Sequence, residues 1–491
     1  MKKSIFLIAG AGLMLMASCK KQLEEKAYSF LTPSNFYKNA TDAQAAINGV
    51  FSVMQAQTHY QRTVYLITEL PADHLTVPTN STAERIELNQ FKFTPTNGEI
   101  GNWWTRSYLM ISRANDVIKF VPKINMDVTL RNHIVGNARF LRALGYFDLV
   151  RNFGDVPLLL RPIETAGDSL LFPARAAAAD VYKAIIEDLQ LAETNCLPES
   201  KIVGANKGMA SSGAASALLG KVYLQRASTP FADAQDNQNA LAALNKVINS
   251  KEYILLPKYQ DVFDNTQKFS KEQIFSVQFG PVASNITSNI ILRMFYPAGY
   301  GGAASFFVYD NYFQNGYFAA DSIRKNWNMA NKAPNATGSA LVTVTPFVYK
   351  YRDPSYVQKT NFSNVNWIVL RYADVLLMQS EALNNINPAD PAKFAGIDSV
   401  RSRAGLKDPT QQLNLTNTPS KDAFIDSLVK DRGRELFVEG HRKYDLIRLK
   451  RYKQVMQPLG ITVADYQFLL PIPQTERDVN IKLGQNDGYP Q

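Results

Sequence analysis

Three groups of residues in this sequence have the chemistry to act on something. The first is Glu435, Glu439 and His441 flanked by Arg432, Arg434 and Arg442, two carboxylates and an imidazole close enough along the chain to suggest acid–base work. Acids four residues apart share one helical face, however, where arginines from adjoining turns neutralise them, so a structural ion network is the better reading. The second group is the two cysteines, Cys19 and Cys196. The third is a supply of aromatic rings beside polar side chains in two stretches: Asp73, Arg85, Trp103 and Trp104 in residues 58–104, and Arg293, Tyr296, Tyr300 and Trp327 in residues 279–327. Sugar C–H faces pack on rings while charged and amide side chains hydrogen-bond the hydroxyls, so these are the candidate ligand-binding residues of a shallow oligosaccharide platform. Trp103 and Trp104 open a helix, and only one of the two is expected to face inward. Trp327 lies among Arg324, Lys325, Asn326 and Asn328, a neighbourhood that predicts an exposed ring.

Other chemistries find little support. His59, His74, His133 and His441 include no pair with zinc-site spacing on one helix. There is no G-x-S-x-G elbow, Gly220-Lys221 falls inside a helical pattern, and Gly299, Gly301 and Gly302 lack the helix that a dinucleotide site needs. No catalytic residue, metal or cofactor is therefore assigned. A glycosidase pair has no fixed sequence spacing, so a secreted glycoside hydrolase stays open as an alternative.

Lys2 and Lys3 precede an uncharged, mostly apolar run from Ile5 to Ala17, which ends at Ser18-Cys19. The run is too short to span a membrane and reads as a secretion signal over residues 1–18. Ala17-Ser18-Cys19 resembles a bacterial lipobox, in which the cysteine is acylated and anchors the chain in membrane lipid. Losing Lys2 and Lys3 takes the formal charge from +10 to +8, a mild fit to an acidic polysaccharide. No dense basic block lies outside the C-terminal helices, so nucleic acid is not an expected partner. Cys196 continues the apolar series Val181, Ile185, Leu189, Ala192 and reads as a buried, inert thiol.

The elements that must position these groups are mostly helices. Residues 19–34 read as a tether, and a body over 35–491 follows. Helical periodicity covers about 35–57, 103–252 and 371–455, with individual helices over 130–153, 205–227, 372–384, 391–403 and 421–439. Irregular insertions fill about 58–102 and 253–370, and a Pro- and Gly-rich coil fills 456–491. The small residues Ala210, Ala214, Ala217 and Gly220 at helical spacing let neighbouring helices approach closely, as in tetratricopeptide-type hairpins. The fold expected is a tetratricopeptide-like helical body with a large, irregular, partly β insertion.

Several segments, in order, resemble the SusD/RagB family of outer-membrane nutrient-binding lipoproteins of Bacteroidetes. They include Asn48-Gly49-Val50-Phe51, Ala138-Arg139-Phe140-Leu141-Arg142-Ala143-Leu144 running into Gly154-Asp155-Val156-Pro157, and Leu370-Arg371-Tyr372-Ala373-Asp374. Arg434-Glu435-Leu436-Phe437-Val438-Glu439-Gly440-His441-Arg442 and Pro471-Ile472-Pro473 complete the match. The resemblance implies a non-catalytic glycan or nutrient binder on the extracellular side of the outer membrane, lidding a SusC-like TonB-dependent barrel transporter. The runner-up reading is a helical-repeat adaptor for a protein or peptide, ahead of the glycoside hydrolase.

Overall fold

The computed structural model describes residues 36–280, 288–354, 356 and 362–490. Cys19 and the tether lie outside them. Among the described residues, nine helices of ten or more residues carry the architecture: α1 Ala40–Met54, α2 Gly98–Phe120, α3 Val128–Phe153, α4 Ala178–Asn195, α5 Ser212–Arg226, α6 Asp236–Ser250, α7 Tyr372–Ile386, α8 Phe394–Arg403 and α9 Lys421–Glu435. Each packs on its neighbour in sequence from α1 to α8, and α9 packs on α7. That is the stacked-hairpin body the periodicity implied.

Capping explains where these helices start. Asn39 and Asp42 form a reciprocal box at the start of α1, Asn97 caps Glu99 and Ile100 of α2, Asp127 caps Leu130 of α3, and Ser211 caps Ala214 of α5. The expected 205–227 helix therefore begins only after its serine cap. The expected 421–439 helix stops at Glu435: Val438 and Gly440 turn into the left-handed region, with φ of 53° and 85°. The reversal delivers the backbone N–H groups of Gly440, His441 and Arg442 to one oxygen of Glu69, at 2.7, 3.0 and 3.4 Å. Glu69 thus holds the start of the next short helix, Arg442–Arg448.

The irregular segment between α6 and α7 leaves and re-enters the stack at two helices that touch each other. Its base is clamped by β2 (Gln273–Val277) pairing antiparallel with β6 (Trp367–Arg371), and its outer part is a hairpin of β4 (Met329–Pro334) and β5 (Leu341–Val348). A two-residue ladder, β1 (Leu75–Thr76) with β3 (Phe307–Val308), joins the two irregular segments. The first of them, expected to be loop, also contains the buried helix Thr63–Thr68.

Small residues set the helix spacing. A Cβ on Gly220 would sit 2.7 Å from Leu244 of α6, and one on Gly396 of α8 would collide with the Leu376 carbonyl and lie 2.7 Å from the Ser380 hydroxyl. Gly49, by contrast, has open space around it in α1. Gly396→Ala should accordingly cost about 1–3 kcal/mol by forcing α7 and α8 apart. Gly49→Ala should add about 0.5–1 kcal/mol through helix propensity. Denaturant unfolding of the two variants checks both signs.

Candidate functional site

The acid–base candidates are locked in place. Arg371, at the end of β6, donates to Glu435 (2.7 Å), to Glu439 (2.6 and 3.0 Å) and to Glu272 (3.0 Å), and Arg403 donates to Glu435 (2.5 Å) and Glu272 (3.0 Å). All these side chains are buried. Burial alone would raise the Glu435 carboxyl, but Arg403, Arg371 and Arg324 override it and hold it at about 2. A carboxylate pinned in the ionised state has no proton to give, which suits a structural role. His441 is buried beside Lys221, and burial drives its pKa well below the ordinary value.

The first aromatic stretch does not form a surface. Trp103 and Trp104 are 0% and 2% exposed, against the expectation that one would face outward. Helix α2 is packed on two sides: Trp103 meets His59 and Tyr60 at 4.8 and 5.4 Å, and Trp104 meets Phe153 and Tyr108 at 5.0 and 5.1 Å. Asp73 is held by Arg442 through two hydrogen bonds of 2.7 and 2.8 Å, and this bidentate pair occupies both of its oxygens. The pair lines an open depression of about 320 Å³ that also receives the paired Asp426 and Arg451. Arg85 lies 5.3 Å over the ring of Phe306 and is half-buried.

The second stretch gathers its members. Tyr296 is buried, its hydroxyl donating to the Tyr351 carbonyl at 2.7 Å, and its ring meets Tyr300 and Tyr349 at 5.5 and 5.6 Å. Tyr300 and Tyr349 are half-buried and nearly parallel, 30° apart at 5.6 Å. Next to them the Arg352 guanidinium lies 4.2 Å from the Tyr349 ring and 3.5 Å from the Trp327 ring. The result is a row of flat groups: Tyr300, Tyr349, Arg352, Trp327. Burial, reinforced by the neighbouring Tyr349, pushes the Tyr300 hydroxyl up to about 12, so it stays a neutral donor. Arg293 is exposed at the edge of this row, close enough to Tyr356 for its charge to oppose the upward shift that burial gives that phenol.

Trp327 is not the isolated exposed ring its sequence neighbours suggested. It is half-buried against the small cluster of Tyr259, Val262, Phe263 and Ile368, with Arg352 over its ring. Residues close in space, not those close in sequence, supply its apolar contacts. Tyr349, Arg352 and Tyr356 lie outside the ring-rich stretch that ends at Trp327. The run Phe347, Tyr349, Tyr351 with Arg352, from the end of β5 onward, is their signal in the sequence.

Comparison with known proteins places this arrangement in context. Residues 303–489 match the SusD family, and residues 21–224 match a family described as starch-binding, associating with outer membrane. SusD-like protein P2 of Formosa agariphila is 29% identical, over 97% of this chain and 98% of its own. A SusD superfamily crystal structure from Parabacteroides distasonis superposes with a TM-score of 0.80 at 26% identity, covering 94% of this chain and all of that one. A laminarin-binding SusD-like protein superposes with a TM-score of 0.76, also at 26% identity, over 92% of this chain and all of its own.

The buried carboxylates make a pH prediction. Glu435 has a folded pKa of about 2, below its ordinary 4.5. Its ionised form therefore stabilises the fold fully above pH 4.5, and this contribution, on the order of 3 kcal/mol, is lost as pH falls toward 2. Glu435→Gln should lower stability at neutral pH and flatten the fall of stability between pH 4.5 and 2.5. Unfolding curves across that range with the same slope in variant and parent would contradict the assignment.

Proposed function

The chain belongs to the SusD/RagB family, and from that premise we propose that it is a non-catalytic oligosaccharide binder of the outer membrane that passes its ligand to a SusC-like TonB-dependent transporter. The observation that carries the binding role is the row of half-buried rings, Tyr300 and Tyr349, beside Arg352 and Arg293. Flat rings next to polar groups are what an amphipathic sugar needs. The laminarin-binding relative, similar over nearly its whole length, supports a glycan as ligand, and the starch-binding, outer-membrane description of the family matching residues 21–224 supports the location. Neutralisation of Glu435 and Glu439 by arginine and lysine supports binding without hydrolysis. The acylated residue would be Cys19, which lets the body stand off the membrane on its tether.

Two measurements test this. Calorimetric titration of the purified protein against a polysaccharide panel should find a bound glycan that is recovered without cleavage. Tyr300→Ala should then weaken that binding tenfold or more, about 1–3 kcal/mol for a lost ring contact, with an unchanged melting temperature. Equal affinity in Tyr300→Ala would remove the platform from this row, and released product would make the protein an enzyme. Separately, Cys19→Ala should move the protein out of the membrane fraction; retention there would rule out acylation as the anchor.

A further inference from the structure

Elsewhere in the molecule, buried guanidinium groups are matched to carboxylates: Arg371 to Glu272, Glu435 and Glu439, Arg432 to Asp445, Arg442 to Asp73 and Arg448 to Asp445. This is the expected arrangement, because a charge withdrawn from water without a counter-ion is costly. Half-buried guanidinium groups are held to it less strictly: Arg85, Arg106 and Arg175 form no ion pair among the described residues, and Arg352 is the one of this kind that lies in the ring row. Its group is half-buried between Trp327 and Tyr349, and its hydrogen bonds go to main-chain carbonyls alone: Nε to Tyr349 at 3.1 Å, and Nη2 to Trp327 and Asn326 at 3.3 and 3.4 Å. Among the described residues no carboxylate forms an ion pair with it. The neighbouring acid, Asp353, is engaged elsewhere, accepting from the Asn364 N–H at 2.6 Å and acting on Lys268. Nη1 of Arg352 has no hydrogen-bond partner among the described residues. Burial pulls the Arg352 pKa down, and the groups offsetting this are the tyrosines Tyr349, Tyr296 and Tyr300 rather than an acid. At the same rim, Arg293 is exposed, also without an ion pair among the described residues.

We infer that the ring row takes an acidic oligosaccharide, with the carboxylate of a uronic-acid-type sugar on Arg352 and an adjoining sugar face on Tyr300. This rests on the reading of the row as the glycan platform and adds the ligand's charge to it. A carboxylate is planar and can approach Nη1 in the plane of the guanidinium, between the layers set by Trp327 and Tyr349, making a charge-assisted hydrogen bond. A sulfate group offers the same kind of acceptor to Nη1, so the sulfated probe below separates the two anions.

The test compares matched probes on the full chain. Oligogalacturonides and alginate oligosaccharides are titrated beside their carboxyl-reduced counterparts, in which each carboxylate has become a neutral alcohol, together with laminarin and a sulfated galactan oligosaccharide. For at least one pair the carboxylate form should bind tenfold or more tightly than its reduced partner. Arg352→Gln should abolish that preference, and Tyr300→Ala should weaken both forms. If Arg352→Gln does not fold, Arg352→Lys, which keeps the charge and loses the planar fork, should cut the preference at least threefold. Neutral glycans bound through Tyr300 with no carboxylate preference, a preference for the sulfated probe, or a preference that survives the Arg352 variants would overturn this inference and leave glycan binding intact. If no probe of any kind is bound, the platform reading falls, and this inference with it.

Discussion

A fully buried set of opposite charges around Arg371 ties the irregular insertion to the helical stack, and the position of the candidate site depends on it. Arg371 stands where β6 passes into α7, Glu435 ends α9, Arg403 ends α8, and Glu272 directly precedes β2. Lys350 belongs to the same set. It donates to Glu439 and to the carbonyls of Glu435 and Phe437, while the next residue, Tyr351, donates to the carbonyl of Val438 at 2.6 Å. Lys350 and Tyr351 are thus drawn inward between Tyr349 and Arg352, the two flat groups at the centre of the ring row. A buried ion network has little net stability to offer over an apolar core of equal volume, but breaking it leaves uncompensated charge, so its geometry is strongly enforced. Here that enforcement fixes the segment after β5 that supplies Tyr349 and Arg352 to the ring row.

The same device recurs further along α9. Arg324 donates to Asp321 and Asp431, Arg401 to Asp431, and Arg432 to Asp445, which also receives Arg448. Helix α9 therefore has charged partners around much of its last two turns, where an ordinary amphipathic helix would present one apolar stripe. Glu69 adds a contact from the first irregular segment, capping Arg442–Arg448 and holding His74 at 2.9 Å. Both insertions are thereby referenced to one C-terminal hub, independently of the short β1–β3 ladder between them.

Periodicity made the helical body legible. Each of the nine long helices overlaps an apolar series at 3.6-residue spacing, and Asn39, Asn97, Asp127 and Ser211 set starts that the series alone leaves loose by several residues. The charged hub was legible as a structural network, but the end of α9 was not. Helical spacing of Glu435 and Glu439 suggested one continuous helix, whereas the turn at Val438 brings both acids to Arg371 by another route. The site was read less well, for two physical reasons. A helix enclosed on two sides buries consecutive tryptophans, so Trp103 and Trp104 carried no information about exposure. Conversely, the polar neighbours of Trp327 said nothing about Val262, Phe263 and Ile368, which reach it from distant points of the chain.

That distribution of legibility follows from the architecture. The main insertion begins and ends on helices that already touch, so its length adds only a slowly growing loop-closure cost and leaves the stacking of α6 on α7 undisturbed. Residues in the stack must satisfy periodicity, small-residue contacts and charge pairing together, and those constraints are visible as sequence patterns. Residues on the outer face of the insertion are free of most of those constraints. Arg352 shows the difference: the hub's arginines are each matched to carboxylates supplied by the protein, whereas the protein meets Arg352 with two rings and three carbonyl groups. A cation kept half-buried in that way keeps hydrogen-bonding capacity that folding has not used, and its place between two rings restricts the approach to the plane of the guanidinium. The scaffold thus fixes the direction from which Arg352 can be approached, and the insertion supplies the flat groups beside it.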